Sequence, residues 1–364
     1  MGENGKLRCI IDELYLPYES IGGIIGICTS FYLTEHELYK QGKVEIIILE
    51  SSGIASGSSS VQSALITSQW QNEAVQPLTK ISVKLHQRLS SLYDGKNQWG
   101  FRSVQPWLMN FIKLNDGVAK LPEEFDYFSS KLGEKDEFMV INAGKFCQKL
   151  FEKIHERGVQ LVYGKAILVK NNCVHYVPKG KEDTIILDAD KVCVSAGAWT
   201  GYILPYSGIG SLFAQSLLFD LEGSESKSKE YVAICNVNPQ NPEYPERSIE
   251  VHFLPDNKMY LTGATLFTPL PKDNEAIRVN PQHLMDLKET LDLLLAEQMT
   301  SKLISSKSCF LPTNRLTGIP ILTVSCSGIY IAAGHANWGI TQGPATGLWM
   351  AELILEGKIK SFEI

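Results

Sequence analysis

A short run at residues 44–49 (VEIIIL), apolar almost throughout, rich in isoleucine and closed by Glu50, limits this chain more than any other stretch. Strands of a parallel sheet covered on both faces are apolar on both sides, whereas half-exposed strands alternate. Before it come Gly22, Gly23 and Gly26, an apolar segment at 24–38 that reads as a buried helix, and a polar turn at 40–43. Glycine turn, helix, tight turn, strand and acid follow one another as in a dinucleotide-binding unit. There the helix N-terminus stabilises a diphosphate, and the acid accepts from ribose hydroxyls. Gly23 and Gly26 fill the second and third glycine positions of that fingerprint, and Ile21 stands at the first. The strand expected before the turn is not a β-branched run. Residues 15–20 (YLPYES) contain Pro17, which cannot donate to a central ladder, and Glu19. Either the piece at Cys9, Ile10 and Ile11 serves as that strand through an irregular connection, or the first strand is degraded.

Residues 51–66 (SSGIASGSSSVQSALI) read as a linker or as a ligand-facing loop, and their place after the strand and acid favours the loop. Helical spacing covers 75–95 and 143–158, the second ending at Gly158. QLVYGKAILV, CVHYV and DTIILDADKVCVSAG read as strands returning to the first sheet, and 210–265 as a second β-rich region. A leucine stripe predicts a helix over 281–299. GIYIAAG predicts a strand leading into a loop punctuated by glycines and a last helix at 345–356, with Gly334, Gly339 and Gly343 free to let backbone approach a flat ligand. The expected class is α/β (α+β): a two-domain protein with a Rossmann-like nucleotide domain interrupted by a β-rich substrate domain. The expected segments are 18–75, 141–208 and 306–364 for the nucleotide domain, 76–140 for a mainly substrate or cap region, and 209–305 for the β-rich domain.

Composition narrows the function classes. Lys plus Arg number 34 against 40 for Asp plus Glu, a net charge of -6 that offers no basic footprint for nucleic acid. No apolar run spans a bilayer. The eight cysteines include no CxxC pair and the histidines no ligand spacing, so neither a metal site nor a disulfide framework is expected. A reduced, cytoplasmic setting is the working expectation.

The segment IGGIIGICTSFYLTEHE…VEIIILESSGIASGSSS resembles the opening of the FAD-dependent D-amino-acid-oxidase-like (DAO) superfamily of oxidoreductases. VCVSAGAWT is similar to that family's central strand and turn, and AAGHANWGITQGPATGLWMAELILEG to its closing motif. LHQRLSSLYDGKNQWGFRSV and CFLP resemble a fungal branch of FAD-dependent oxidoreductases with poorly defined substrates. The resemblance implies a two-domain flavoprotein. Gly22, Gly23, Ile25 and Gly26 are then expected to cradle the FAD diphosphate, Glu50 to bind the ribose, and Gly57, Ser58 and Ser59 to flank the diphosphate and ribityl chain. Ala166 is expected at the adenine, and Ser195, Ala196, Gly197 and Trp199 around the adenosine half. Gly334, His335, Trp338, Gly339, Ile340 and Thr341 are expected along the isoalloxazine. Ile21, Ser60, Ser63 and Ala64 stand where the family has glycines, and their side chains can obstruct approach to the cofactor.

The implied activity is oxidation of a C–N bond in an amino acid or secondary amine, with oxygen reoxidising the flavin and releasing peroxide. The cofactor accepts the hydride equivalent, so the protein supplies orientation. Arg247 and Arg315 are candidates for a substrate carboxylate, Tyr260 for a hydrogen bond, and His335 for a base, although no motif assigns them. Cys309 stands where some relatives tether the flavin, although non-covalent binding is the leading expectation. A second reading, from another class, is a flavoprotein-like regulator with weak or no catalysis, acting through a partner, for instance in late endosome-to-Golgi retrieval at endosomal membranes. Ile21 and the lack of a legible substrate constellation motivate it. An NAD-dependent dehydrogenase rests on the glycine turn alone.

Overall fold

In a computed structural model of the protein, residues 44–50 form β2 (Val44–Glu50), in which every residue but Glu45 is buried. The described residues are 6–13, 22–61, 63–114, 117–118, 129–222, 231–239, 247–266, 269–271, 279–295, 300–326 and 328–362. β2 pairs in parallel with β1 (Leu7–Glu13) on one side and with β9 (Gln160–Lys170) on the other. β1 pairs in parallel with β12 (Lys191–Val194), and β12 with β19 (Tyr330–Ala333). Antiparallel strands extend both edges: β10 (Cys173–Pro178) and β11 (Ile185–Asp188) beyond β9, and β18 (Ile321–Val324) beyond β19. Of the two alternatives for the first strand, the piece at Cys9, Ile10 and Ile11 is the one found, with all three residues fully buried at the centre of the sheet. Residues 15–20 and Ile21 lie outside the described residues.

Both faces of this sheet are covered, which explains the unbroken apolar run. Ile46 and Ile48 pack with Ile24, Ile27 and Phe31 of α1 (Ile24–Glu35) and with Phe146 and Leu150 of α5 (Ala143–Glu156). Ile47 and Leu49 pack the other way, with Ala166, Val174, Val192 and Trp199. The remaining helices are α2 (Glu37–Lys40), α3 (Gln76–Leu92), α4 (Gly95–Trp99), α6 (Thr200–Ile203), α7 (Pro281–Leu294) and α8 (Gly339–Glu356).

The second sheet runs β17 (Thr300–Asn314), β13 (Ile209–Glu222), β16 (Lys258–Leu266), β15 (Arg247–Leu254), β14 (Tyr231–Pro239), β5 (Gln105–Leu114) and β6 (Gly117–Val118), with β7 (Ser129–Lys131) also on β5. One face carries Ile249, Val251 and Leu261 against Leu287 and Leu291 of α7. β17 crosses residue 306, where the sequence places the start of the last nucleotide-domain segment, and pairs with β13 along nearly its whole length. A small sheet of β3 (Ala64–Ile66), β8 (Met139–Ile141) and β4 (Arg102–Ser103) completes the fold.

Two helix boundaries differ from the sequence expectation. α7 stops at Leu294 because Leu295 turns extended, and residues 296–299 lie outside the described set. α8 begins at Gly339, one and a half turns before 345, and takes Pro344 into its interior. Gly343 does not face a ligand, because it packs on α1. A Cβ there would come within 2.8 Å of Ile24 Cγ1, and one on Gly347 would overlap the Cys28 backbone. Gly347→Ala is therefore expected to destabilise the protein by about 1–3 kcal/mol despite alanine's better helix propensity. Urea titration of the variant tests this, and an unchanged or raised midpoint contradicts the close contact.

Candidate active site between the two sheets

The early turn is built by its own backbone. Gly22 makes a parallel bridge with Ile54, donating to the Gly53 carbonyl at 2.9 Å and accepting from Ala55 N–H at 2.8 Å. A Cβ on Gly22 would lie 2.7 Å from Ile54 Cα, so only glycine fits. Glu50, fully buried, shapes the same loop: its Oε1 accepts from the Ser52 and Gly53 amides at 2.6 and 2.9 Å. Ser59 Oγ accepts from Ile24 N–H at 3.0 Å, at the start of α1. Gly23, Ile25, Ser58 and Ser59 then line a cavity, while Gly22, Gly26, Gly57 and Glu50 stand behind its wall.

The tail reaches that cavity through α8. Trp338, Gly339 and Ile340, at the helix N-terminus, are in the lining, as are His335, Ala336 and Asn337. Pro344 lacks the N–H that would meet the Ile340 carbonyl, and the His86 imidazole of α3 takes its place, with Nε2 2.9 Å from that oxygen. Ser82, one turn earlier on α3, accepts from Ala345 N–H at 3.1 Å. α3 thus mends the turn that the proline breaks. A carbonyl can only accept, and burial pushes His86 down to about 4, so the ring is neutral with its proton on Nε2. Burial likewise pushes His335 down to about 3, with Nε2 3.0 Å from Thr346 Oγ1. Thr341 donates to the Leu65 carbonyl at 2.9 Å, a tie between α8 and β3 behind the cavity wall. Gly334, at φ +92°, makes the turn after β19 and stays out of the lining.

The remaining walls come from the central turn and the second sheet. Ser195, Gly197 and Trp199 are in the lining, whereas Ala196 and Ala166 are buried beyond it. Across the cavity stand Tyr260, Thr262, Cys309, Phe310, Leu311 and Pro312. Burial raises the Tyr260 hydroxyl, which lies beside Ser216 and Thr262 and makes no hydrogen bond of regular geometry. Burial pushes the Cys309 thiol up to about 12, which opposes the thiolate that a covalent tether requires. Arg315 is exposed in the turn after β17 and lies over Gly210, away from the cavity. Arg247 begins β15, and its side chain is not among those described.

Sequence reasoning missed a chain of three polar side chains. Ser63 Oγ lies 2.8 Å from His252 Nδ1, and His252 Nε2 lies 2.5 Å from Glu250 Oε1. Ser63 and Glu250 line the cavity, and His252 is 1% exposed behind them. The available signal was the i, i+2 spacing of Glu250 and His252 in the strand SIEVHFL, which puts both on one sheet face. Ala64 also lines the cavity, and Ser60 does not.

The site suits FAD on two observations. The N-termini of α1 and α8 open on one cavity, neither N-cap residue caps its helix with a side chain, neither first turn holds an acid, and Ser59 from the neighbouring loop takes the Ile24 amide. Both are therefore available to a diphosphate and to a ring that becomes negative on reduction. Trp199, in the wall, keeps an indole N–H without a partner among the described residues. Among the same residues no group of His, Cys, Asp and Glu could hold a metal ion, and no helix is long and apolar enough to cross a membrane.

An α/β flavoprotein built on two large sheets is the class that this fold and cavity define, and comparison with known proteins agrees. The FAD dependent oxidoreductase (DAO) family model matches residues 22–353, and the chain belongs to that family. A Schizosaccharomyces pombe protein is 27% identical over 369 residues, covering 94% of each chain. The Saccharomyces cerevisiae protein TDA3 is 24% identical, covering 94% of this chain and 92% of its own. Both are oxidoreductases by name only, and neither name states a substrate. Among solved structures, glycine oxidase from Geobacillus kaustophilus superposes with a TM-score of 0.71 at 16% identity, covering 98% of this chain and 97% of that one. The amino acid oxidase NikD gives 0.72 at 14% identity over 99% and 96%. These likenesses show the two-domain fold.

The two buried histidines set a pH dependence. An unfolded histidine titrates near 6.5. Below that, the unfolded chain binds protons that native His86 and His335 refuse down to about 4 and about 3. Stability is therefore full above pH 6.5 and falls as pH drops towards 4, by up to about 1.4 kcal/mol per pH unit for each ring. His86→Gln keeps a donor for the Ile340 carbonyl and is expected to remove one proton from that slope. Urea unfolding at pH 7, 6 and 5 measures it, and an unaltered slope rules out a neutral native His86.

Proposed function

We propose that the chain oxidises a C–N bond of an amino acid or secondary amine, with FAD as cofactor, oxygen as acceptor and peroxide as product. The observation that supports this best is the meeting of the early turn, the tail and the second sheet around one cavity. Bound FAD supplies a two-electron acceptor there. In this reading the first sheet with its helices is the cofactor domain and the second sheet the substrate domain. Gly23, Ile25, Ser58 and Ser59 meet the diphosphate and ribityl chain, Gly22, Gly26 and Gly57 shape that cradle from behind the wall, and Glu50 serves the ribose from the same loop. Ala166, Ser195, Ala196, Gly197 and Trp199 surround the adenosine half. His335, Trp338, Gly339 and Ile340 border the ring, with Gly334 and Thr341 supporting that edge from behind the wall. His335, neutral and tied to Thr346, contributes shape rather than a base. The high Cys309 pKa favours non-covalent attachment. The eight cysteines, none of them in a disulfide, support a reducing, cytoplasmic setting.

The purified chain is expected to be yellow, or to become so on adding FAD, and its flavin bands are expected to bleach anaerobically with an amine or amino acid. Admitting oxygen should restore them with one peroxide per turnover. A chain that takes up no FAD, or whose bound flavin no amine or amino acid reduces, overturns this reading. The second of those outcomes favours a regulatory role.

A further inference from the structure

The cavity's only described charged side chain is a carboxylate. Glu250 lines it, and no lysine or arginine among the described residues does. Lys307, which the register sets opposite Ser216 on β13, is not in the lining. The carboxylate is held from behind. An ionised carboxylate can only accept, so His252 Nε2 carries the proton donated to Glu250 Oε1, and in the neutral ring Nδ1 accepts from the Ser63 hydroxyl. The two hydrogen bonds run in one chain to Glu250 and fix the orientation of its carboxylate, whose Oε2 has no partner among the described residues. Tyr260 packs edge-on against His252, with ring centroids 5.7 Å apart, and locks the imidazole from the cavity side. The register sets Ile234 and Thr262 on either side of Glu250, and Leu65, Ala214 and Leu311 add to a cavity wall that is largely apolar. One oriented anion in an apolar wall is a site for an alkylammonium group.

We infer that Glu250, positioned by His252 and Ser63, is the counter-ion for the ammonium of a substrate that carries no carboxylate: a primary or secondary alkylamine rather than an amino acid. The inference rests on reading the cavity as an amine-oxidising site, and it narrows the substrate class within that reading. An α-carboxylate would enter the cavity beside Glu250 with no described cation to meet it, a like-charge contact in a partly desolvated space. Discrimination on the order of a hundredfold against the amino acid is expected.

The test uses n-butylamine and its α-carboxylated counterpart, norvaline, titrated calorimetrically into the FAD-loaded chain and separately mixed with it under anaerobic stopped flow. n-Butylamine is expected to bind at least a hundredfold more tightly than norvaline, and butyrate is expected not to displace it. In Glu250→Gln, with FAD content and melting temperature unchanged, n-butylamine is expected to weaken at least tenfold while norvaline does not weaken, so the discrimination collapses. Ser63→Ala is expected to weaken n-butylamine in the same sense by a smaller factor. Equal or tighter binding of norvaline, equal weakening of both probes in the variant, or binding of neither probe overturns the inference. Calorimetric binding of n-butylamine with no flavin reduction by either probe defeats the oxidase reading and leaves the counter-ion in place. Reduction by norvaline alone does the opposite.

Discussion

The close approach of α1 and α8 is the contact on which the rest of the molecule depends. Gly343 and Gly347, one turn apart on α8, leave room for Ile24 and for the Cys28 backbone on α1, so the helices pack at a distance no larger residue permits. The consequence is positional. Two helices from opposite ends of the chain present their N-termini at the same cavity, and neither end is closed by a side chain of its own helix. A glycine stripe in a helix costs propensity, and Pro344 costs a hydrogen bond. The fold offsets the second cost through α3, whose Ser82 and His86 supply hydrogen-bond partners at the proline turn.

How much of this is legible in the residues depends on whether the cause is local. β2 is readable because burial on two faces requires apolar side chains at nearly every position. β1 is harder: Cys9, Ile10 and Ile11 are flanked by Arg8 and Asp12, and the segment at its C-terminal end does not look like the usual entry to a glycine turn. The start of α8 is hidden by Pro344, since a proline normally marks the beginning of a helix, and the donor that makes it tolerable sits on another helix. The role of Gly343 is hidden for the same reason. A glycine needed for a ligand and one needed for a neighbouring helix leave identical marks in the sequence, and only Ile24 across the gap separates them.

Glu50 illustrates a role that motif and structure describe differently. The fingerprint makes it a ribose ligand. In the fold its Oε1 is engaged by the Ser52 and Gly53 amides, and that bend delivers Gly53, Ile54 and Ala55 to their bridge with Gly22. The carboxylate is thus a builder of the glycine turn, whatever else it binds. Its position is dictated by backbone amides that would otherwise be unsatisfied next to a buried strand end.

The polar chain from Ser63 to Glu250 joins what the two sheets would otherwise only face across. Ser63 belongs to the loop after the first sheet's second strand, and His252 and Glu250 to the face of β15 away from α7. The Ser63–His252 pair is separated by 189 residues in sequence. Nothing local announces such a pair. The cavity it borders is electrically lopsided: His335 and His86 near α8 are held neutral by burial, so among the described residues of that wall positive potential comes from helix amides. At the other wall Glu250 is half-exposed and oriented by two hydrogen bonds. A ligand bridging these walls meets donors without a full charge at one end and a fixed anion at the other. That polarity follows from where the fold buries its histidines, and it requires no further residue to be charged.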